Sequence, residues 1–326
     1  MKVLLVGYYG YGNFGDELMR ESIEDFFRKF HVQYKVTLPK RISKDTVSRF
    51  NIFEMIEAVY DSDIVVYGGG GLLQDITSTR SFLYYFGIIQ LSLLLQKPVI
   101  LFGNSLGPIK KKTNRFILRN LLKNKNVFLF ARDIVSYRYG KYLNKNTVIC
   151  CDPSVRYLKK IQLEKSNDYE LIIIPRKSSN VYKYDILRKY FSKIVVCPTQ
   201  KTDIEVSKII SNRLGCEFFE NSGNINELLS LILSSNFVIS ERFHPSLVAS
   251  YFGIPFISLE GLKTSRFFMK YTKRKEFFAK DTIGILERIQ AIKNQPLDLK
   301  NIMDEEVERN FKDLYRLMIR LSSRVI

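Results

Sequence analysis

This chain is poor in the residues that build metal centres and disulfide frameworks. Its 326 residues include two histidines, His31 and His244, and four cysteines, Cys150, Cys151, Cys197 and Cys216. No cysteines form a C-x-x-C pair and no Cys/His cluster has zinc spacing, so a structural metal is not expected. A chain of this length buries a sizeable core without staples, and the expectation is reduced thiols in the cytoplasm. Long apolar runs are missing as well. The most hydrophobic stretch, "SFLYYFGIIQLSLLLQK" (residues 81–97), carries Gln90 and is short for a bilayer span, so it reads as a buried helix. The first apolar run stops after four residues at Gly7, too short for the apolar core of a secretory leader. Acidic residues are outnumbered: 51 Lys and Arg face 33 Asp and Glu, a net charge of +18. An anionic substrate, an acidic membrane face or nucleic acid would each answer such a charge. The basic residues are scattered, with no basic helix and no recognised nucleic-acid module, so nucleic acid is set aside. A Lys/Asn/Ile-rich compositional bias accounts for the excess equally well.

The chain does contain strand-like runs alternating with helical patterns. The runs are 2–6, 63–67, 98–102, 127–130 and 147–150, then 170–174, 193–197, 236–240 and 255–259. Most are continuously apolar, as parallel strands covered on both faces require. Leu18, Met19, Ile23, Phe26, Phe27 and Phe30 form one helical stripe, and Val307, Phe311, Leu314, Met318 and Leu321 form another. The pattern predicts an α/β protein of two Rossmann-like halves. The charged stretch at 159–170 is the natural linker. The expected parts are an N-terminal domain (1–158), a C-terminal domain (170–300) and a C-terminal helix (301–326) able to pack back on the first.

Open parallel sheets bind ligands beyond the carboxyl ends of their strands, and four such places stand out. "GYYGYGNFGDE" (7–17) holds Gly10-x-Gly12-x-x-Gly15 ahead of a helix expected near Asp16, whose free N–H groups would aim at an anion. A dinucleotide also needs an acid at the end of the second strand, but "YKVTLPKR" (34–41) has none. Lys40 and Arg41 would suit a 2′-phosphate. A tight packing turn explains the glycines too, though less naturally Asn13 and Asp16. "YGGGGLLQD" (67–75) places four glycines after a strand, which suggests a ligand lying against bare backbone. "LFGNSLGPI" (101–109) is a third strand-to-turn junction. In the fourth, "VISERFHPSLVASYFGIPFISL" (238–259), Arg242 and His244 leave a strand end, with Pro245 suited to the first helical position. A guanidinium and an imidazole two residues apart make an anion pocket with two kinds of donor. His31, at a helix end, looks structural.

The last stretch is similar to the donor-binding segment of two-domain glycosyltransferases, ending in Gly253-Ile254-Pro255. In those enzymes a Glu five residues before the glycine holds the ribose; here Val248 stands there. The whole set, with "ARDIVSYRYGKYL" (131–143), "CDPS" (151–154) and "IIIPRKS" (172–178), resembles the polysaccharide pyruvyl transferase family over about the first 265 residues. The resemblance implies a GT-B-like pair of Rossmann-like domains with parallel sheets facing across a cleft. It implies phosphoenolpyruvate as co-substrate and donor, without a separate cofactor, and a sugar diol as acceptor, giving a pyruvate ketal and phosphate. Donor binding carries over to Arg176, Arg242 and His244. His244 is the candidate acid, and Asp16 and Asp75 compete for the role of base. Asn13, Gly70, Gly71, Gln74 and Asn104 are the expected acceptor contacts; Asn104 stands where the family often has Gln. A family acting on cell-surface polymers or lipid-linked precursors gives the basic surface a use, peripheral contact with an acidic membrane at its cytoplasmic face.

Overall fold

The computed structural model describes residues 1–259, 261–279 and 283–323. In chain order the first half runs β1 (Lys2–Val6), α1 (Phe14–Lys29), β2 (Gln33–Leu38), β3 (Thr46–Ser48), α2 (Ile52–Asp61), β4 (Ile64–Gly70), α3 (Thr79–Leu94), β5 (Val99–Asn104), α4 (Lys112–Leu122), β6 (Val127–Ala131), α5 (Ile134–Leu143), β7 (Thr147–Ile149) and α6 (Val155–Lys160). It continues with β8 (Leu171–Ile174), β9 (Ile194–Val196), α7 (Ile204–Leu214), β10 (Glu217–Phe218), α8 (Ile225–Leu233), β11 (Val238–Ser240), α9 (Phe243–Tyr251), β12 (Phe256–Leu259), α10 (Leu262–Phe268), β13 (Phe278–Ala279), α11 (Ile283–Asn294) and α12 (Lys300–Ser322). A 3₁₀ segment, Val181–Lys189, follows β8.

Two parallel sheets result, in the orders β3-β2-β1-β4-β5-β6-β7 and β10-β9-β8-β11-β12-β13. The nine expected strands are all present. Beyond these nine, β2 is the second strand whose end was read at 34–41, and the short edge strands β3, β10 and β13 were not foreseen, because two or three residues carry too little pattern to read. Strand order reverses between β1 and β4 in the first sheet and between β8 and β11 in the second. Such switch points open a crevice at the carboxyl ends of the strands.

Contacts divide the chain into two units. The first comprises 1–11, 18–157 and 304–326, and the second 12–17 and 158–303. The glycine loop therefore groups its last six residues with the second unit, which a linear division at 158 does not foresee.

In the first unit, Leu4, Val6, Tyr67, Leu101 and Leu129 are fully buried on the sheet. The stripe of α12 packs there too. The Phe311 ring lies 4.9 Å from both Phe26 and Phe102, and Asn310 Oδ1 accepts the Cys151 N–H at 2.8 Å. The last three residues predicted for that helix, 324–326, lie outside the described residues. In the second unit, Ile172, Ile173, Val195, Ile239, Leu247 and Phe256 are fully buried. All four cysteines are free thiols, and burial pushes the Cys216 thiol up to about 11. The stretch read as a buried helix is α3. No helix among the described residues is long and apolar enough to cross a membrane.

Candidate active site

In the second unit the loops after β8 and β11 flank the switch point, and buried carboxylates tie them together. Glu241, directly after β11, accepts the Arg176 N–H at 3.0 Å, the Ser179 hydroxyl at 2.7 Å and the Tyr184 hydroxyl at 2.9 Å, and pairs with Lys183. Burial alone would raise its carboxyl. The bonds from Lys183, Ser179 and Tyr184 outweigh burial and hold it below the usual carboxylate range. Asp203, fully buried, accepts the Lys177 N–H at 3.0 Å and Arg242 Nη2 at 2.5 and 2.6 Å. Among the described residues the Arg242 guanidinium is thus held by one nitrogen, and its buried Nε has no hydrogen-bond partner. Arg176 itself is exposed.

Arg242 is the N-cap of α9, so His244 is the second helical residue and Pro245 the third, two places later than the sequence suggested. Proline remains compatible there, since the first turn has no intrahelical use for its N–H. His244 packs against Gly15. A methyl carbon at Gly15 would come within 3 Å of Nδ1, Cε1 and Cγ of the ring. The third glycine of the opening motif is therefore explained by an imidazole of its own chain.

The same loop corrects another expectation. Asn13 is the N-cap of α1: its Oδ1 accepts the N–H groups of Gly15 and Asp16 at 3.2 and 3.3 Å. The Phe14 N–H goes to the Thr199 carbonyl at 3.0 Å and the Glu17 N–H to the Asn13 carbonyl at 2.9 Å. All four first-turn N–H groups are thus engaged and none is left to aim at an anion. Asn13 Nδ2 donates to Gln200 at 2.8 Å, so this side chain fastens the loop to the segment that follows β9. Asp16, half-buried, is the residue after the glycine that touches His244.

In the first unit the glycine run is filled from within. A Cβ at Gly68 would strike the Tyr9 hydroxyl, and one at Gly69 (φ +87°) would strike Met19. The Tyr9 hydroxyl donates to the Gly68 carbonyl at 2.5 Å. Protein side chains, rather than a ligand, lie against these two bare backbones. Gly70, also left-handed (φ +86°), accepts the Ser105 N–H at 2.9 Å, and Gly71 is half-buried beside it. Gln74 closes its own turn, accepting from Ile76 and Thr77 and donating to the Thr77 hydroxyl. Asp75 accepts the N–H groups of Lys110 and Lys111 at 2.6 and 3.0 Å and the Asn114 amide at 2.9 Å. Burial works to raise its carboxyl, but these three bonds prevail and lower it. A carboxylate so engaged fixes the turn before α4 and makes a weak base. Asn104 donates to the carbonyls of Tyr67 and Phe102, and its buried Oδ1 has no partner among the described residues. The motif residues Arg132 and Asp152 form a buried ion pair at 2.5 Å, and Asp152 also caps Ser154, so these motifs build the fold.

A model of the polysaccharide pyruvyl transferase family matches residues 13–261, well over half of the chain. The chain belongs to the polysaccharide pyruvyl transferase family. A search of curated proteins finds no match to the sequence. Among solved structures, the S. aureus MnaA–UDP co-structure is similar at 12% identity, with 94% of this chain and 91% of that one covered and a TM-score of 0.62. A putative UDP-N-acetylglucosamine 2-epimerase from Listeria monocytogenes gives 11%, 94%, 91% and 0.61. A glycosyltransferase from Rickettsia africae gives 10%, 99%, 98% and 0.58. At these identities the likeness concerns the fold, which is GT-B-like: two Rossmann-like domains built on parallel sheets.

The family match begins at Asn13 and so takes in both the opening loop's helix cap and the Arg242–His244 turn. Sequence reasoning missed the carboxylates beneath this turn. Glu241 stood inside the quoted motif, and Asp203 stood at a strand-to-helix junction (β9 to α7), which is the signal that could have found it.

Proposed function

We propose that this pyruvyl transferase family member moves the pyruvyl group of phosphoenolpyruvate onto two hydroxyls of one sugar, in a cell-surface polysaccharide or its lipid-linked precursor. The products are a cyclic ketal and inorganic phosphate. The observation that carries the reading is the placement of Arg176 on the loop after β8, and of Arg242 and His244 at the cap and first turn of α9, on either side of the switch point of the second sheet. Phosphoenolpyruvate brings a carboxylate and a phosphate close together, a load that guanidiniums suit. A proton added to its C3 makes C2 electrophilic, and the first hydroxyl adds there. The second hydroxyl then attacks C2 as the C2–O bond to phosphate breaks. His244 is assigned to protonate the departing phosphate and Asp16 to take the proton of the attacking hydroxyl. Donor and diol supply every bonding electron pair, so the scheme calls for no further cofactor. Purified protein with phosphoenolpyruvate and candidate diols should release phosphate, and His244→Ala should abolish the release. Full activity in that variant would sink the assignment.

A nucleotide-sugar glycosyltransferase is the competing reading, supported by the fold. Against it, Val248 is fully buried and offers no acceptor for a ribose hydroxyl. Stabilisation by UDP or GDP but not by phosphoenolpyruvate in a thermal-shift panel would favour this alternative.

Peripheral membrane contact at the cytoplasmic face completes the proposal. The outer face of α2 exposes Ile52, Phe53, Ile56 and Tyr60, with Phe53 80% accessible. Lys40, Arg41 and Lys44, in the loop before β3, are exposed as well. An apolar helix face with nearby cations suits anionic lipid. Phe53→Asp should weaken binding to vesicles containing phosphatidylglycerol. Unchanged binding, or binding indifferent to lipid charge, would refute this contact.

A further inference from the structure

Arg49 follows the short strand β3, at the carboxyl edge of the first sheet. It is 9% exposed, yet its Nε and Nη1 have no hydrogen-bond partner among the described residues. Its Nη2 donates to the Tyr85 hydroxyl at 3.2 Å. None of its ion-pair or electrostatic contacts among the described residues is to a carboxylate. Five aromatic rings surround it instead. The guanidinium carbon lies 4.7 Å from the ring centre of Tyr84, 5.4 Å from Tyr11, 5.5 Å from Tyr85 and 5.7 Å from Tyr8 and Phe50. Tyr8 and Tyr11 are themselves stacked, 4.3 Å apart and 11° from parallel.

A guanidinium buried with two idle nitrogens and, among the described residues, no counter-ion is costly, and ring faces repay only part of that cost. An oxyanion would supply missing acceptors: a carboxylate or phosphoryl oxygen at Nη1, or on the edge that Nε shares with Nη2, takes a charge-assisted bond. The aromatic walls suit the apolar C–H face of a pyranose. Tyr8 and Phe50 are the outer walls, 39% and 74% exposed. A rotamer change at an outer wall is the step that would uncover the guanidinium to a ligand.

We propose that Arg49 and its tyrosine walls form a subsite for an anionic saccharide: the rings take the sugar face and Arg49 takes a phosphoryl or carboxylate group attached to that sugar. The proposal deepens the acceptor half of the function above and rests on it. The acceptor would then be a phosphorylated sugar, as in a lipid-linked precursor, or a uronic acid unit of an acidic chain.

The test is direct binding in the absence of phosphoenolpyruvate, by titration calorimetry or ligand-observed NMR. The probes are galactose 1-phosphate, galacturonate, neutral methyl galactoside and inorganic phosphate alone. At least one charged sugar should bind tenfold or more tighter than both the neutral sugar and inorganic phosphate. Preference for the phosphate over the carboxylate, or the reverse, identifies the source of the anion. Arg49→Met should erase the preference while the melting temperature holds or rises, because an uncompensated buried cation has been removed. Tyr8→Leu, on the exposed wall, should weaken every sugar and serves if Arg49→Met does not fold. Equal binding of charged and neutral sugars, binding of inorganic phosphate as tight as the sugar phosphate, no binding at all, or an unchanged preference in Arg49→Met would each overturn the proposal. A chain that binds charged sugars this way but releases no phosphate from phosphoenolpyruvate would sink the proposed reaction and leave this subsite standing.

Discussion

Gly15→Ala isolates the role of His244 without touching it. The new methyl would come within 3 Å of three atoms of the imidazole. To restore an ordinary separation of about 3.5 Å, the ring must withdraw by roughly 1–2 Å. The backbone at Gly15 is ordinary helix, so alanine gains up to about 1 kcal/mol in helix propensity. Forcing the imidazole off its rotamer costs about 0.5–1.5 kcal/mol. The two terms nearly cancel, and urea denaturation should place the variant within about 1 kcal/mol of the parent. Activity should not be spared: a misplacement near 1 Å costs about 100-fold in rate, read as phosphate release from phosphoenolpyruvate. Gly12→Ala is the control. Its φ of +68° makes alanine strained, but nothing lies within 4 Å of the added carbon. That variant should lose about 1–2 kcal/mol of stability and keep its kcat. The decisive measurement is the double variant. If Gly15 acts through the imidazole, Gly15→Ala adds nothing in the His244→Ala background. Near-parental activity in Gly15→Ala, or a full 100-fold further loss in the double variant, would refute the reasoning.

Further expectations concern the carboxylates. Asp75→Asn should lose about 1–3 kcal/mol of stability, since a carboxylate accepting three bonds is disrupted, while kcat stays near parental. Asp16→Asn should do the reverse, folding normally and losing about 100-fold or more in kcat; the opposite pattern would make Asp75 the base. Glu241→Ala strips Lys183, Ser179, Tyr184 and the Arg176 N–H of their shared acceptor and should cost about 3–5 kcal/mol in chemical denaturation. The folded carboxyl of Glu241 is depressed, so its contribution is complete above the unfolded value of about 4.3 and is lost as pH falls through the lower folded value. Glu241→Gln should flatten the fall of stability in that acid window. An unchanged acid limb would show that Glu241 does not carry it.

The sequence determined the architecture because parallel strands buried on both faces read as unbroken apolar runs. KVLLV and ELIII need no structure to be recognised. The glycines and strand-end polar residues were equally legible as junctions worth attention, and the motifs in order identified the family. Local pattern could not say what each junction holds. Asn13 and Asp75 looked like residues reaching for a ligand, and the fold engages them as a helix cap and a turn clamp. The run at Gly68–Gly69 looked like room for a substrate, and Tyr9 and Met19 occupy it. Arg49 carried no signal at all: its strand is three residues long, and the rings around it come from three separate stretches of chain. Hydrogen-bond satisfaction and burial depend on partners distant in sequence, such as Gly15 with His244 or Arg242 with Asp203. Those pairings exist only once the strands and crossovers of the second unit have brought the strand ends together.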